Sequence, residues 1–148
     1  MTTMVNPYED GHPIKEEIKF AKDTNSCTVV ALACVTGNTW SECNQYLSKY
    51  GRRYRKGMTR QMQENAFKGF TKFVVKNSPY TYKNRITIGQ FIKKHPIGKF
   101  YCCVRGHAFA IIDGVLYDHS EKLRRQITFS YRFYTLDEVD KLRRGVNE

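Results

Sequence analysis

Between Cys27 and Val35 the chain is almost continuously apolar, and the run then meets Thr36-Gly37-Asn38. A stretch of that length stopped by a glycine predicts a helix buried on all sides, a buried strand being the other element it can form. Thr39-Trp40-Ser41-Glu42 has the form of a capping box. Trp40, Cys43, Leu47 and Tyr50 follow at helical spacing up to Gly51, which predicts a second helix. Met58, Met62, Ala66, Phe70 and Phe73 recur in steps of three or four behind Thr59, so a third helix is expected from the low 60s to the mid 70s. Thr87-Ile88-Gly89-Gln90 opens a short helix that Pro96-Ile97-Gly98 closes.

At Lys99 the period changes. Phe100, Tyr101, Val104, Phe109, Ile111, Ile112, Val115 and Tyr117 are punctuated by Arg105-Gly106 and Asp113-Gly114, the pattern of an antiparallel meander. Ile127 to Tyr134 supplies a further strand, and Thr135-Leu136-Asp137-Glu138 caps a last helix ending in Arg143 and Arg144. Helices first and sheet second define an α+β class, with N-terminal helices packed on a C-terminal antiparallel sheet. Residues 1–22 read as a polar N-terminal segment of a single domain spanning 1–148.

Composition supports a packed core, with 41% hydrophobic and 14% aromatic residues. The N-terminal segment lacks the apolar centre of a signal peptide, and no run approaches the roughly 20 residues that span a bilayer, so a cytoplasmic protein without membrane insertion is expected. Five cysteines without regular spacing or a C-x-x-C read as thiols, and neither a metal nor a cofactor is expected. Twenty-five Lys and Arg against fourteen Asp and Glu give +11, a field that attracts nucleic acid, anionic surfaces or acidic proteins. The densest run, Arg52-Arg53-Tyr54-Arg55-Lys56, lies between Gly51 and Gly57 and reads as a loop able to grip phosphates and stack on a base.

The chemistry emerges from the hairpin register. Asp113-Gly114 suits a type I′ turn, whose two central residues need positive φ. A two-residue turn there opposes Ile112 to Val115, Ile111 to Leu116, Ala110 to Tyr117 and Phe109 to Asp118. His107 shares the parity of Phe109, so His107 and Asp118 fall on one face within reach of an imidazole–carboxylate hydrogen bond, while His119 points the other way. Cys27 follows polar Asp23-Thr24-Asn25-Ser26 and begins the buried helix, where the local positive potential favours a thiolate and free N–H groups can bind an oxyanion. Cys34, Cys43, Cys102 and Cys103 read as packing residues.

Three stretches resemble the papain-like cysteine peptidase superfamily. Asp23 to Cys27 with Ala31-Leu32-Ala33 is similar to its nucleophile loop and central helix; Gly106-His107 through Gly114 is similar to its Gly-His strand; Val115 to Asp118 is similar to the strand carrying the orienting acid. The stretch from Thr87 to Asp118 also resembles small papain-like proteins of bacteriophages, which implies a host cytoplasmic location. The resemblance implies acyl transfer on a protein or peptide substrate, with Cys27 as nucleophile, His107 as proton carrier and Asp118 as orienting acid. Ala21 stands where many members carry an oxyanion-stabilising Gln, and Asn25 is the replacement donor expected. The alternative is an inactive papain-like scaffold that binds nucleic acid or an acidic host protein through Arg52, Arg53, Tyr54, Arg55 and Lys56.

Overall fold

The computed structural model describes residues 3–81 and 83–145. In chain order its elements are β1 (Met4–Val5), α1 (Pro13–Ala21), α2 (Cys27–Thr36), α3 (Trp40–Ser48), α4 (Arg60–Lys68), β2 (Phe73–Asn77), α5 (Ile88–Lys94), β3 (Lys99–Val104), β4 (His107–Ile112), β5 (Val115–Tyr117), β6 (Phe129–Thr135) and α6 (Leu136–Arg143). The class is α+β.

Strand order is β1-β5-β4-β3-β6-β2, and every pairing is antiparallel except the parallel β1–β5 contact. Alternation along β3 and β4 divides the core into two apolar clusters. Tyr101, Cys103, Ala108 and Ala110 pack with α2, α3 and α4. Phe100, Cys102, Val104, Phe109 and Ile111 pack with Phe91 of α5 and with Ile86 and Ile127.

The α2 helix forms as its composition dictates: seven of its ten residues are buried, so no side is left for water. Gly37 ends it with φ 76° and its N–H on the Ala33 carbonyl at 2.9 Å. The capping boxes at Thr39, Thr87 and Thr135 are all formed. The Asp113-Gly114 turn has φ 49° and 77°, and it sets Ile112 opposite Val115, Ile111 opposite Leu116 and Ala110 opposite Tyr117, the register the sequence predicts.

The arrangement departs from the sequence-based expectation in three places. Residues 3–22 are not merely a polar segment; Met4 and Val5 add a strand beside β5, and α1 forms with His12 as N-cap and Pro13 in its first turn. The sheet is therefore mixed, and β1 and β2 reach it from the N-terminal half of the chain. The third helix stops at Lys68, because Gly69 caps it and a side chain there would collide with the Tyr46 and Tyr50 hydroxyls. Phe70 leaves the helix to stack on Tyr46 at 4.7 Å, and Phe73-Val74-Val75, apolar and partly β-branched, pairs with β6 instead.

Replacing Gly114 by Ala forces a side chain onto positive φ without a clash, since the nearest atom to the new Cβ is 3.7 Å away. A loss of about 1–2 kcal/mol is expected, visible as a lower urea midpoint with an unchanged m-value.

Candidate active site

Cys27 is the first residue of α2. Its backbone approach is fixed by Asp23, which is 1% exposed. One Asp23 carboxylate oxygen accepts from the Asn25 N–H at 3.2 Å, and the other faces Arg52 Nη2 at 2.9 Å in an ion pair whose side chains are 1% and 0% exposed. Arg52 also donates to the Asn25 carbonyl at 3.0 Å and to Asn44 Oδ1 at 2.6 Å. Ser26 Oγ accepts from Trp40 Nε1 at 3.3 Å, which ties the same turn to α3.

This corrects the reading of the basic loop. Arg52 is buried, so it cannot belong to a phosphate-binding surface. The reason is tertiary: the buried Asp23 carboxylate pairs with Arg52 and takes that cation out of water. Tyr54 directs its hydroxyl to the Ala21 and Lys22 carbonyls at 2.8 and 3.0 Å, and Arg55 Nε donates to Lys22 at 2.9 Å, so these residues brace the C-terminal end of α1. Arg53, Tyr54, Arg55 and Lys56 remain exposed.

Cys27 and His107, which stands at the start of β4, border the same two cavities, and the imidazole acts electrostatically on the thiol. His107 Nε2 donates to Asp118 Oδ1 at 2.8 Å, which leaves Nδ1 as the ring nitrogen for Cys27. His107 stacks along Phe109 at 6.1 Å, the shared face expected from their parity. His119 does not point away. Strand β5 ends at Tyr117, so alternation no longer governs it. Its N–H and Nδ1 both turn onto Asp118 Oδ1, at 2.8 and 2.9 Å. His107, Asp118 and His119 thus gather three atoms within 4.8 Å of one another, a set that could hold a metal ion, but Asp118 already accepts the His107 proton.

Burial pushes the Cys27 thiol up, yet His107 and the Ala108 and Thr28 backbone groups outweigh it, and the net shift is downward. Burial acts against His107 as well, but Asp118 and Cys27 raise it to about 9. These are the directions of a thiolate–imidazolium pair. The other thiols move the opposite way: burial raises Cys34 to about 12 and Cys43 to about 11, and it also raises Cys102 and Cys103.

Two cavities meet at Cys27 and His107. One, of about 470 Å³, is lined by Met58, Arg60, Cys103, Val104 and Phe129. The other, of about 560 Å³, is lined by Tyr8, Lys15, Ile18, Asp23 and His119. Asn25 borders both, exposed and with its carboxamide unbonded among the described residues. The helix contributes further donors, because its first backbone bond runs from Val30 to Ser26 at 2.9 Å and leaves the preceding N–H groups without helical partners. Tyr8, Lys15 and Arg60 were not singled out from the sequence; only the pairing of β1 with β5 brings Tyr8 to the site, its ring edge-on to His119 at 5.5 Å.

Comparisons with protein-family models, with curated proteins and with solved structures give no match to this chain. No helix among the described residues is long and apolar enough to cross a membrane.

Two measurements follow from this geometry. Arg52→Ala or Asp23→Asn strands a buried partner, and either is expected to lower stability by about 3–5 kcal/mol, whereas joint replacement by apolar residues of similar volume costs far less; urea unfolding of the three variants checks this. The second concerns pH. A histidine raised to about 9 contributes stability that is fully present below its unfolded value near 6.5 and is lost as pH rises through about 9. Cys27 opposes this, because a lowered thiol contributes above its unfolded value and loses that contribution as pH falls. In a Cys27→Ala background stability should therefore decline as pH rises above about 6.5, and adding Asp118→Asn, which removes the carboxylate that accepts from His107, should flatten the decline.

Proposed function

We propose that this protein is a papain-like cysteine hydrolase acting on amide or isopeptide bonds. The observation that carries the reading is the juxtaposition of Cys27 with His107, whose ring donates to Asp118, together with the downward shift of that one thiol among five. The order of elements supports it too: a buried helix opens on the cysteine, and a hairpin supplies the histidine and then the acid.

In this mechanism the Cys27 thiolate attacks the carbonyl carbon and forms the S–C bond, and the electron pair moves to the carbonyl oxygen. That oxyanion is met by N–H groups at the start of α2 and by the Asn25 carboxamide. Collapse breaks the C–N bond as imidazolium His107 gives its proton to the leaving amine. Water then attacks the thioester, its proton passes to His107, and the C–S bond breaks to restore the thiolate–imidazolium pair and release the acid. Asp118 stays ionised throughout and holds the ring in the orientation that presents Nδ1.

The alternative, an inactive scaffold that binds nucleic acid through the 52–56 loop, loses Arg52 to the core and the Tyr54 hydroxyl to the backbone, which favours the hydrolase reading.

The test is thiol reactivity resolved residue by residue. At mildly acidic pH, Cys27 should alkylate about a hundredfold faster than an unperturbed thiol, and His107→Ala should remove most of that advantage. Equal rates at Cys27 and Cys34, the two thiols with partial exposure, would refute the proposal.

A further inference from the structure

The unpaired charge lining the two cavities is positive. Among the described residues that line them the sole carboxylate is Asp23, and it is spent on Arg52. Cations sit at both ends. Lys15 lines the cavity on the α1 side, with no carboxylate partner among the described residues. Arg60 lines the opposite cavity, with its guanidinium 4.5 Å from the centre of the Phe129 ring and Glu64 at 3.1 Å. Exposed Arg53 and Lys56 are carried by the loop that enters the second cavity at Gly57, and neither has a carboxylate partner among the described residues. Beyond His107, a third cavity of about 230 Å³ is lined by Lys122 and Arg125 as well as by Asp118, which is engaged with His107 and His119.

The walls between these cations are apolar or uncharged. Ile18 stands on one side, and Met58, Val104 and Phe129 on the other. Gln63, at the base of the second cavity, is committed internally: its carbonyl oxygen accepts from Tyr101 at 2.5 Å and its amide donates to the Met58 carbonyl at 3.1 Å. The groove therefore offers an extended chain uncharged walls in the middle and positive charge at either end. A channel lined by one sign of charge against low-dielectric walls concentrates ligands of the opposite sign.

Resting on the hydrolase reading above, we infer that the groove selects acidic polypeptide segments, with carboxylates on both sides of the bond presented to Cys27, one facing Lys15 and one facing Arg60. A polypeptide suits the site better than a nucleic acid strand. The polar positions beside Cys27 are single N–H and amide donors, which fit one carbonyl oxygen. The exposed aromatic side chain of the 52–56 loop itself, Tyr54, already carries Arg55 at 5.1 Å from its centre.

Alkylation of Cys27 in the full chain tests the inference, read by mass spectrometry at ~0.15 M salt. Anionic iodoacetate should gain on neutral iodoacetamide by about tenfold relative to the same cysteine in the urea-unfolded chain. Lys15→Glu and Arg60→Gln should each reduce that preference severalfold, whereas Lys93→Glu, on α5 across the sheet, should leave it unchanged. A short blocked peptide of alternating Glu and Ala should slow alkylation by iodoacetamide, and its Lys-and-Ala counterpart should not. Equal protection by both peptides, or none by either, overturns the inference while leaving the hydrolase reading intact. Protection by oligothymidylate in place of the acidic peptide overturns it in favour of nucleic acid. If Cys27 shows no enhanced reactivity, the hydrolase reading fails. Charge selection is then judged by fluorescence anisotropy of the labelled peptides on Cys27→Ala, where retained preference for the Glu peptide supports it and its absence refutes it.

Discussion

Removing an aspartate and an arginine from water together is expensive, and the pair is retained only where the surroundings make up the loss. Asp23 and Arg52 are supported by the Asn25 N–H, the Asn25 carbonyl and Asn44, although Arg52 Nε stays buried without a partner among the described residues. The consequence reaches well beyond the pair. With Arg52 anchored inside, the 51–57 loop is drawn across the end of α1, and the turn that precedes α2 has one available course. That course delivers Cys27 to the end of the sheet where His107 begins β4. An apolar pair of equal volume could stabilise the loop as well, but it would not hold the Asn25 peptide from both its N–H and its carbonyl side.

The parts of this arrangement that the sequence discloses are those governed by local rules. Two residues with positive φ fix a hairpin register, and the register brings His107 and Asp118 to one face without reference to anything else in the fold. A glycine-terminated apolar run makes a buried helix, so the position of Cys27 at its start was equally legible. What escaped was set by distant partners. In a run of five residues with three arginines, nothing local separates Arg52 from Arg53; Asp23 does so, twenty-nine positions earlier. His119 escaped for a different reason. It lies past the last paired residue of β5, where the backbone bends and strand parity ceases to apply.

The thiol and the field around it are complementary parts of one electrostatic design. In the hydrolase we propose, the thiolate–imidazolium pair is formally neutral, so it neither repels nor attracts a charged chain from a distance. Lys15, Arg60 and the cations beyond them supply the long-range component, while the N–H groups of α2 act only at contact. A net charge of +11 thereby acquires local meaning in part: Arg52 is buried structure, Arg55 braces α1, and Lys15 and Arg60 border the groove.

The parallel pairing of Met4 and Val5 with Leu116 and Tyr117 joins segments that lie far apart in the chain, and the Val5 carbonyl accepts from the Asp118 N–H at 3.1 Å. Closing so long a loop is entropically slow, and during synthesis the N-terminal strand has no partner until β5 has left the ribosome. Assembly of the acid's surroundings is thus a late event in folding. Until the sheet is complete α2 lacks much of the apolar surface that buries it and Cys27 lacks His107 and Asp118 beside it, so the surroundings that lower the thiol exist only in the nearly whole molecule.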